Sequence, residues 1–159
     1  MPHIKPHLII DIESADLEKA LEEWRWLIGL DAKPLYVTAA GDVILIYDSG
    51  HVALLDTGGG YVEVIARSVD AFEQGLSDPE NLADWFAASV VEQLHKQNMY
   101  LGPGQCYGYT TLPVFAEGSY GPENRFVLSV KEHLAFTADV HKQIMHMPEG
   151  SKIRIKVKQ

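Results

Sequence analysis

Between residues 42 and 66 the chain alternates apolar runs with short turn sequences. Positions 43–47 are apolar throughout, positions 52–55 likewise, and Tyr61-Val62-Glu63-Val64-Ile65-Ala66 follows after Gly58-Gly59-Gly60. Asp48-Ser49-Gly50 between the first two runs reads as a hairpin turn with Gly50 in the left-handed position, and the glycine triplet as a second hairpin connection. The pattern predicts a three-stranded antiparallel meander over 42–66. A strand with no polar face is covered on both sides, so the run 43–47 is expected in mid-sheet.

Helical spacing governs much of the rest. Ser14 is the predicted N-cap of a helix over 14–28, with Leu17, Leu21, Trp24 and Ile28 as its apolar stripe and Gly29 as its end. Glu18, Glu22 and Glu23 fall off that stripe and are predicted to form an acidic outer face. A short strand is expected over 34–38. Ser68 is placed to cap a short helix carrying Val69, Phe72 and Leu76. Asp78-Pro79 joins a capping side chain to a proline at the first helical position, which predicts a helix to about residue 98 with Leu82, Trp85, Phe86, Val90 and Leu94 as its core positions.

Leu101-Gly102-Pro103-Gly104-Gln105-Cys106-Tyr107-Gly108-Tyr109 is a turn-rich loop entering an extended segment, in which Cys106 and one tyrosine are expected to point inward. Residues 116–125 read as irregular and 126–130 as a strand. A last helix is predicted over 131–147, with Phe136, Val140, Ile144 and Met147 on its stripe, stopped by Pro148-Glu149-Gly150. In the tail, Ile153, Ile155 and Val157 alternate with Lys152, Arg154, Lys156 and Lys158, the pattern of an edge strand over 152–158 with a basic outer face. These elements predict an α+β fold: a mainly antiparallel sheet with a central meander and helices packed against it. At 159 residues the chain is expected to form a single domain, 1–159.

Composition adds a few bounds. A hydrophobic content of 47% fits a globular fold. A single cysteine gives no internal disulfide and suits a reducing compartment, and the first residues lack the apolar core of a signal peptide. No run of apolar residues is long enough to cross a membrane. A cytoplasmic location is therefore the expectation. The formal net charge of −9 is unevenly spread: residues 1–94 hold 17 Asp/Glu against 5 Lys/Arg, and residues 95–159 hold 5 against 8. An acidic first half disfavours nucleic acid and attracts basic partners, although such a charge also serves solubility alone. Four charges on the tail strand are a small footprint for nucleic-acid binding.

Candidate chemistry is sparse. Seven histidines raise the question of a metal. His133 and His141 lie eight residues apart on one predicted helix, about 12 Å of axial rise, too far to share a zinc ion. His141 and His146 diverge around the same helix. His141 shares a face with Leu134, Ala138 and Met145, which reads as a core-facing ring with backbone or carboxylate partners. Cys106 beside two tyrosines reads as a small buried residue, not a nucleophile. Gly58-Gly59-Gly60 lacks the Lys-Ser/Thr of a phosphate loop and leads into a strand. Asp42, Asp48 and Asp56 sit at strand ends, where aspartate serves turns; the pairs Asp42/Asp48 and Asp48/Asp56 have no spacing that favours a catalytic role. The expectation is a protein with no catalytic residues, no metal and no cofactor.

Four pieces, in this order and spacing, resemble a bacterial family. They are Gly41-Asp42 with the Asp48-Ser49-Gly50 hairpin and Leu55-Asp56-Thr57-Gly58; Trp85-Phe86; the segment from Leu101 to Tyr109 followed by Pro113; and His141-Lys142-Gln143 leading to Met147-Pro148-Glu149-Gly150. Together they resemble the C-terminal domain of type VI secretion immunity proteins, the kind paired with DNase effectors, over residues 36–157, with a short N-terminal helical extension. The resemblance implies a non-enzymatic protein that binds and neutralises a cognate secreted toxin, such as a nuclease, in the bacterial cytoplasm. Glu18, Glu22 and Glu23 are the candidate partner-binding residues for a basic toxin. Two other readings stay open at this point: a small-ligand or regulatory binding module, and an enzyme built on a His/Asp pair brought together by folding.

Overall fold

The computed structural model describes residues 4–148 and 150. Its main sheet runs β1 (Ile9–Ile10), β2 (Lys33–Thr38), β3 (Val43–Ile46), β4 (Val52–Asp56) and β5 (Tyr61–Ala66), in that spatial order and antiparallel throughout. A two-stranded antiparallel ribbon pairs β6 (Gln105–Tyr109) with β7 (Arg125–Ser129). The helices are α1 (Ser14–Leu21), α2 (Arg25–Ile28), α3 (Val69–Gly75), α4 (Pro79–Phe86), α5 (Ala88–Lys96) and α6 (Val130–Ile144). The fold is α+β, with the meander at its centre.

β3 is the middle strand, and its lack of a polar face has a direct cause. Successive side chains alternate between faces. Val43 and Leu45 enter a core with Leu17, Leu21, Trp24, Ile28, Leu55 and Leu134. Ile44, between them, enters a second core with Leu54, Phe72, Phe86, Leu94 and Tyr107. One face is thus covered by α1, α2 and α6, the other by α3, α4 and α5. The ribbon joins the sheet beyond β2, where the Tyr107 N–H donates to Ala39 O at 2.8 Å.

Turns and caps follow the local sequence. Gly50 and Gly60 take positive φ of 93° and 74° at the two hairpin connections. The Ser68, Asp78 and Ser129 side chains accept from the backbone N–H groups of Ala71, Glu80 and Glu132, capping α3, α4 and α6.

Four expectations are corrected. Ser14 is the first residue of α1, not its cap; Glu13 holds the cap position without a side-chain bond. The predicted helix over 14–28 is interrupted by a 3-10 turn at Glu22–Trp24, which tightens the chain yet keeps Leu17, Leu21, Trp24 and Ile28 buried. The predicted helix over 79–98 breaks at Ala87, whose left-handed φ of 52° turns the chain from α4 into α5. The break shifts the helical phase, so Val91 is fully buried while Val90 is only partly covered. On α6 the buried face is Val130, His133, Leu134, Thr137, Ala138, Val140 and His141, whereas Phe136 and Met147 are exposed. His141 is buried beside Leu134 and Ala138 as expected, and polar His133 and Thr137 occupy core positions that hydrophobic periodicity does not register. The predicted tail strand over 152–158 lies outside the described residues.

Candidate functional site

Val43 pairs with Leu55 across β3 and β4. Asp42, one residue before that pair, and Asp56, one residue after it, therefore stand side by side at one end of the sheet. Asp42 Oδ1 accepts from the Thr57 N–H and Thr57 Oγ1, both at 3.0 Å. Asp56 Oδ1 accepts from the Gly59 N–H at 2.8 Å, and the Tyr120 hydroxyl donates to Asp56 Oδ2 at 3.2 Å. Burial first, and then the charge of Asp56, push the Asp42 carboxyl up to about 7, against the opposing pull of the Thr57 hydrogen bonds and Arg125.

Arg125, the first residue of β7, lies beneath this pair. It is buried, and its guanidinium donates to Ala40 O at 2.9 Å, Tyr107 O at 3.2 Å and Tyr120 O at 3.1 Å. Its Cζ sits 4.0 Å over the Tyr109 ring. The guanidinium is thus held by backbone carbonyls and an aromatic face; neither of the ion pairs found among the described residues, Lys5–Glu92 and Lys131–Asp16, involves it. The Tyr109 and Tyr120 rings meet edge to face with centroids 6.0 Å apart. Burial raises the pKa of both hydroxyls. Between these groups and the α4–α5 joint at Ala87 lies a cavity of about 250 Å³.

The histidines behind this cluster are packing groups. The Gly41 and Gly60 backbones carry the imidazoles of His133 and His141, with no room for a Cβ at either glycine. His133 Nε2 shares a 2.9 Å hydrogen bond with Thr57 Oγ1, and His141 Nε2 donates to Thr57 O at 2.8 Å. Burial lowers the pKa of both, to about 4 for His133. Among the described residues no three His, Cys, Asp or Glu are placed to hold a metal ion. Cys106 is fully buried, and desolvation pushes its thiol up to about 12, the state of an inert core thiol. Both of its flanking tyrosines, Tyr107 and Tyr109, point inward.

Glu18, Glu22 and Glu23 are all exposed, on α1 and the 3-10 turn after it. Glu23 borders an apolar groove of about 560 Å³ whose floor is Phe126, Leu128 and Phe136, with Glu132 and Asp139 as further acidic groups on its rim. Phe126 and Phe136 are 42% and 38% exposed and lie together in this groove.

Of the three aspartates considered from sequence, Asp48 lies at the exposed hairpin tip, donating its N–H to Asp31, while Asp42 and Asp56 come together. That pairing was available from the hairpin itself, since two runs flanking a tight turn fix which residues face each other. Arg125, Tyr109 and Tyr120 come from distant segments and carry no local signal.

The family model for the T6SS immunity protein Tdi1, C-terminal, matches residues 66–141. The match begins at the last residue of β5 and runs into α6, taking in Trp85-Phe86 and the segment from Leu101 to Tyr109, while β1 to β4 lie before it. Over this segment the chain is similar to a type VI secretion immunity family. No protein with a curated description matches the chain.

Proposed function

We propose that this chain is an immunity protein that binds and neutralises a cognate secreted toxin, a nuclease in the favoured reading, in the bacterial cytoplasm. The observation that carries the proposal is the immunity-family match over 66–141. Immunity by occlusion needs a surface and no turnover. The burial of His133 and His141 among glycine backbones and Thr57 supports a structural role for the residues that a His/Asp enzyme would use.

The surface best suited to a toxin is the acidic face of α1 with the groove beside it. Nucleases that hold a phosphate backbone present Lys and Arg, and an acidic rim around exposed phenylalanines complements a basic patch with apolar side chains. Rim charges steer association, while the desolvated phenylalanines hold the complex. Among the described residues no helix is long and apolar enough to cross a membrane.

The test is co-expression in a bacterial host with each type VI effector of the source genome. Wild-type protein is expected to protect against one of them and to co-elute with it. The variant E18K/E22K/E23K is expected to slow association by at least about tenfold, because three reversed charges act together where one would matter little. Failure to protect against any effector refutes immunity. Full protection and unchanged kinetics by the triple variant would make this face a solvated helix surface and move the interface elsewhere.

A further inference from the structure

The cavity at the α4–α5 joint is independent of the toxin groove and has the character of a ligand site. Asp42 and Asp56 line it together with Tyr109, Tyr120 and Arg125, and Asp84 stands at its α4 side. Among the described residues neither of the two neighbouring carboxylates forms an ion pair: Arg125, the cation of this cluster, directs its donors to the carbonyls of Ala40, Tyr107 and Tyr120. A second observation comes from Tyr109. It is only 5% exposed, and its hydroxyl makes no hydrogen bond. Tyr109 is itself one of the residues that line the cavity, with Asp42, Asp56 and Arg125. A buried hydroxyl without a partner is costly, and a bound polar group is the simplest means of satisfying it.

We propose that this cavity binds an organic cation, a guanidinium or ammonium group, seated between the Asp42/Asp56 carboxylates and the Tyr109 and Tyr120 side chains. Charge sets the sign of the ligand: three aspartates face one arginine, and that arginine offers no free donor fork to an anion. Size sets its extent. About 250 Å³ lies below the roughly 300–1,000 Å³ usual for sites that enclose a whole drug-sized molecule, so the cavity suits one side chain or a small amine and excludes a nucleotide. Geometry sets its kind. Among the described residues no three His, Cys, Asp or Glu are grouped as a metal would need, whereas a guanidinium carries several donors on one plane and can meet two carboxylates and a hydroxyl at once. The Tyr120 ring, partly exposed at the mouth, offers a π-face to the same charge. The cation has two sources, a Lys or Arg side chain presented by a protein, or a free amine.

The purified full chain is titrated with agmatine, with the capped peptide Ala-Arg-Ala, and with the same peptide carrying citrulline in place of arginine. The ring resonances of Tyr109 and Tyr120 are followed by NMR. Saturable shifts with agmatine or the arginine peptide are expected, with the neutral citrulline peptide weaker by at least about tenfold. A preference for the peptide identifies a protein side chain as the source, and a preference for agmatine a free amine. Asp56→Asn retains an acceptor for the Gly59 N–H and is expected to weaken binding by at least about tenfold. Ser89→Trp, at the cavity wall and away from the carboxylates, is expected to block it while leaving the fold intact. Equal binding of the citrulline peptide, or no saturable shift with any probe up to about 20 mM, would overturn the proposal and leave the cavity as a water-filled gap. Unchanged binding in a folded Ser89→Trp protein would overturn it as well. Neither result depends on whether a toxin is found.

Discussion

The imidazole of His141 packs against the backbone of Gly60, in the space a β-carbon would need. His133 has the same relation to Gly41. Through these two contacts α6 is pressed onto the turns at the ends of β3 and β4, and Thr57, between the two rings, accepts from one through its carbonyl and bonds the other through its hydroxyl.

Gly60→Ala is accordingly expected to be severe. The positive φ of 74° disfavours any side chain, and the new methyl must displace His141. A loss of about 2–4 kcal/mol is expected in urea unfolding. Gly50→Ala, also at positive φ but with open space around it, should lose only the backbone part, about 1 kcal/mol. Equal losses at the two sites would show that the His141 contact contributes nothing.

Asp42 and His133 pull stability in opposite directions with pH. The fold raises the Asp42 pKa to about 7 from 3.8, so its contribution is complete below about pH 4 and is lost as pH rises through 7. The fold lowers the His133 pKa from 6.5 to about 4, so its contribution is complete above about pH 6.5 and is lost as pH falls through 4. Wild type should therefore show a shallow profile between pH 4 and 7. Asp42→Asn keeps an acceptor for Thr57 and removes the charge. Its stability should rise from pH 4 to 6.5 and then stay flat, exceeding wild type at pH 8 by about 1–2 kcal/mol. That figure is below the full 1.4 kcal/mol per unit because the Asp42 residue keeps some solvent contact. Parallel profiles for the two proteins would exclude Asp42 as the source.

Cys106 has no solvent exposure. Cys106→Ser buries a hydroxyl where a thiol packed and should cost about 1–2 kcal/mol. In the native protein a colourless thiol reagent should modify Cys106 only as fast as the ribbon opens. Immediate stoichiometric reaction would contradict its burial.

The groove phenylalanines test surface against core. Phe126 and Phe136 keep much of their area in water, so replacing both by alanine should cost less than about 1 kcal/mol each in stability. If the groove receives a toxin, the same double variant should lose at least about tenfold in affinity. Large destabilisation with unchanged affinity would assign both rings to the fold.

The strongly patterned parts of the chain were legible. Continuous apolar runs with glycine turns gave the meander, and the stripe Leu17, Leu21, Trp24, Ile28 gave the buried face of the first helical segment. Capping residues Ser68 and Asp78 marked two helix starts. The break at Ala87 was not legible, because alanine favours helices and only tertiary packing selects its left-handed conformation. On α6 the face of His141, Leu134 and Ala138 was read as core and is buried, but the apolar stripe was drawn through Phe136 and Met147, which are exposed, because hydrophobic periodicity does not count His133 or Thr137 as core. The cavity was only half visible: the hairpin register implies the Asp42/Asp56 pair, but Arg125 and Tyr120 arrive from a ribbon whose docking depends on contacts far apart in sequence.

Ala87 also determines how one wall of the cation cavity behaves. A left-handed alanine is uphill by about 1 kcal/mol, and glycine is not. Ala87→Gly should therefore raise stability by about that amount while freeing α4 to swing against α5. Two properties that usually improve together are set against each other at this residue. The natural alanine gives a slightly weaker protein with a stiffer rim, and the glycine variant a tougher protein whose cavity mouth no longer has a fixed width.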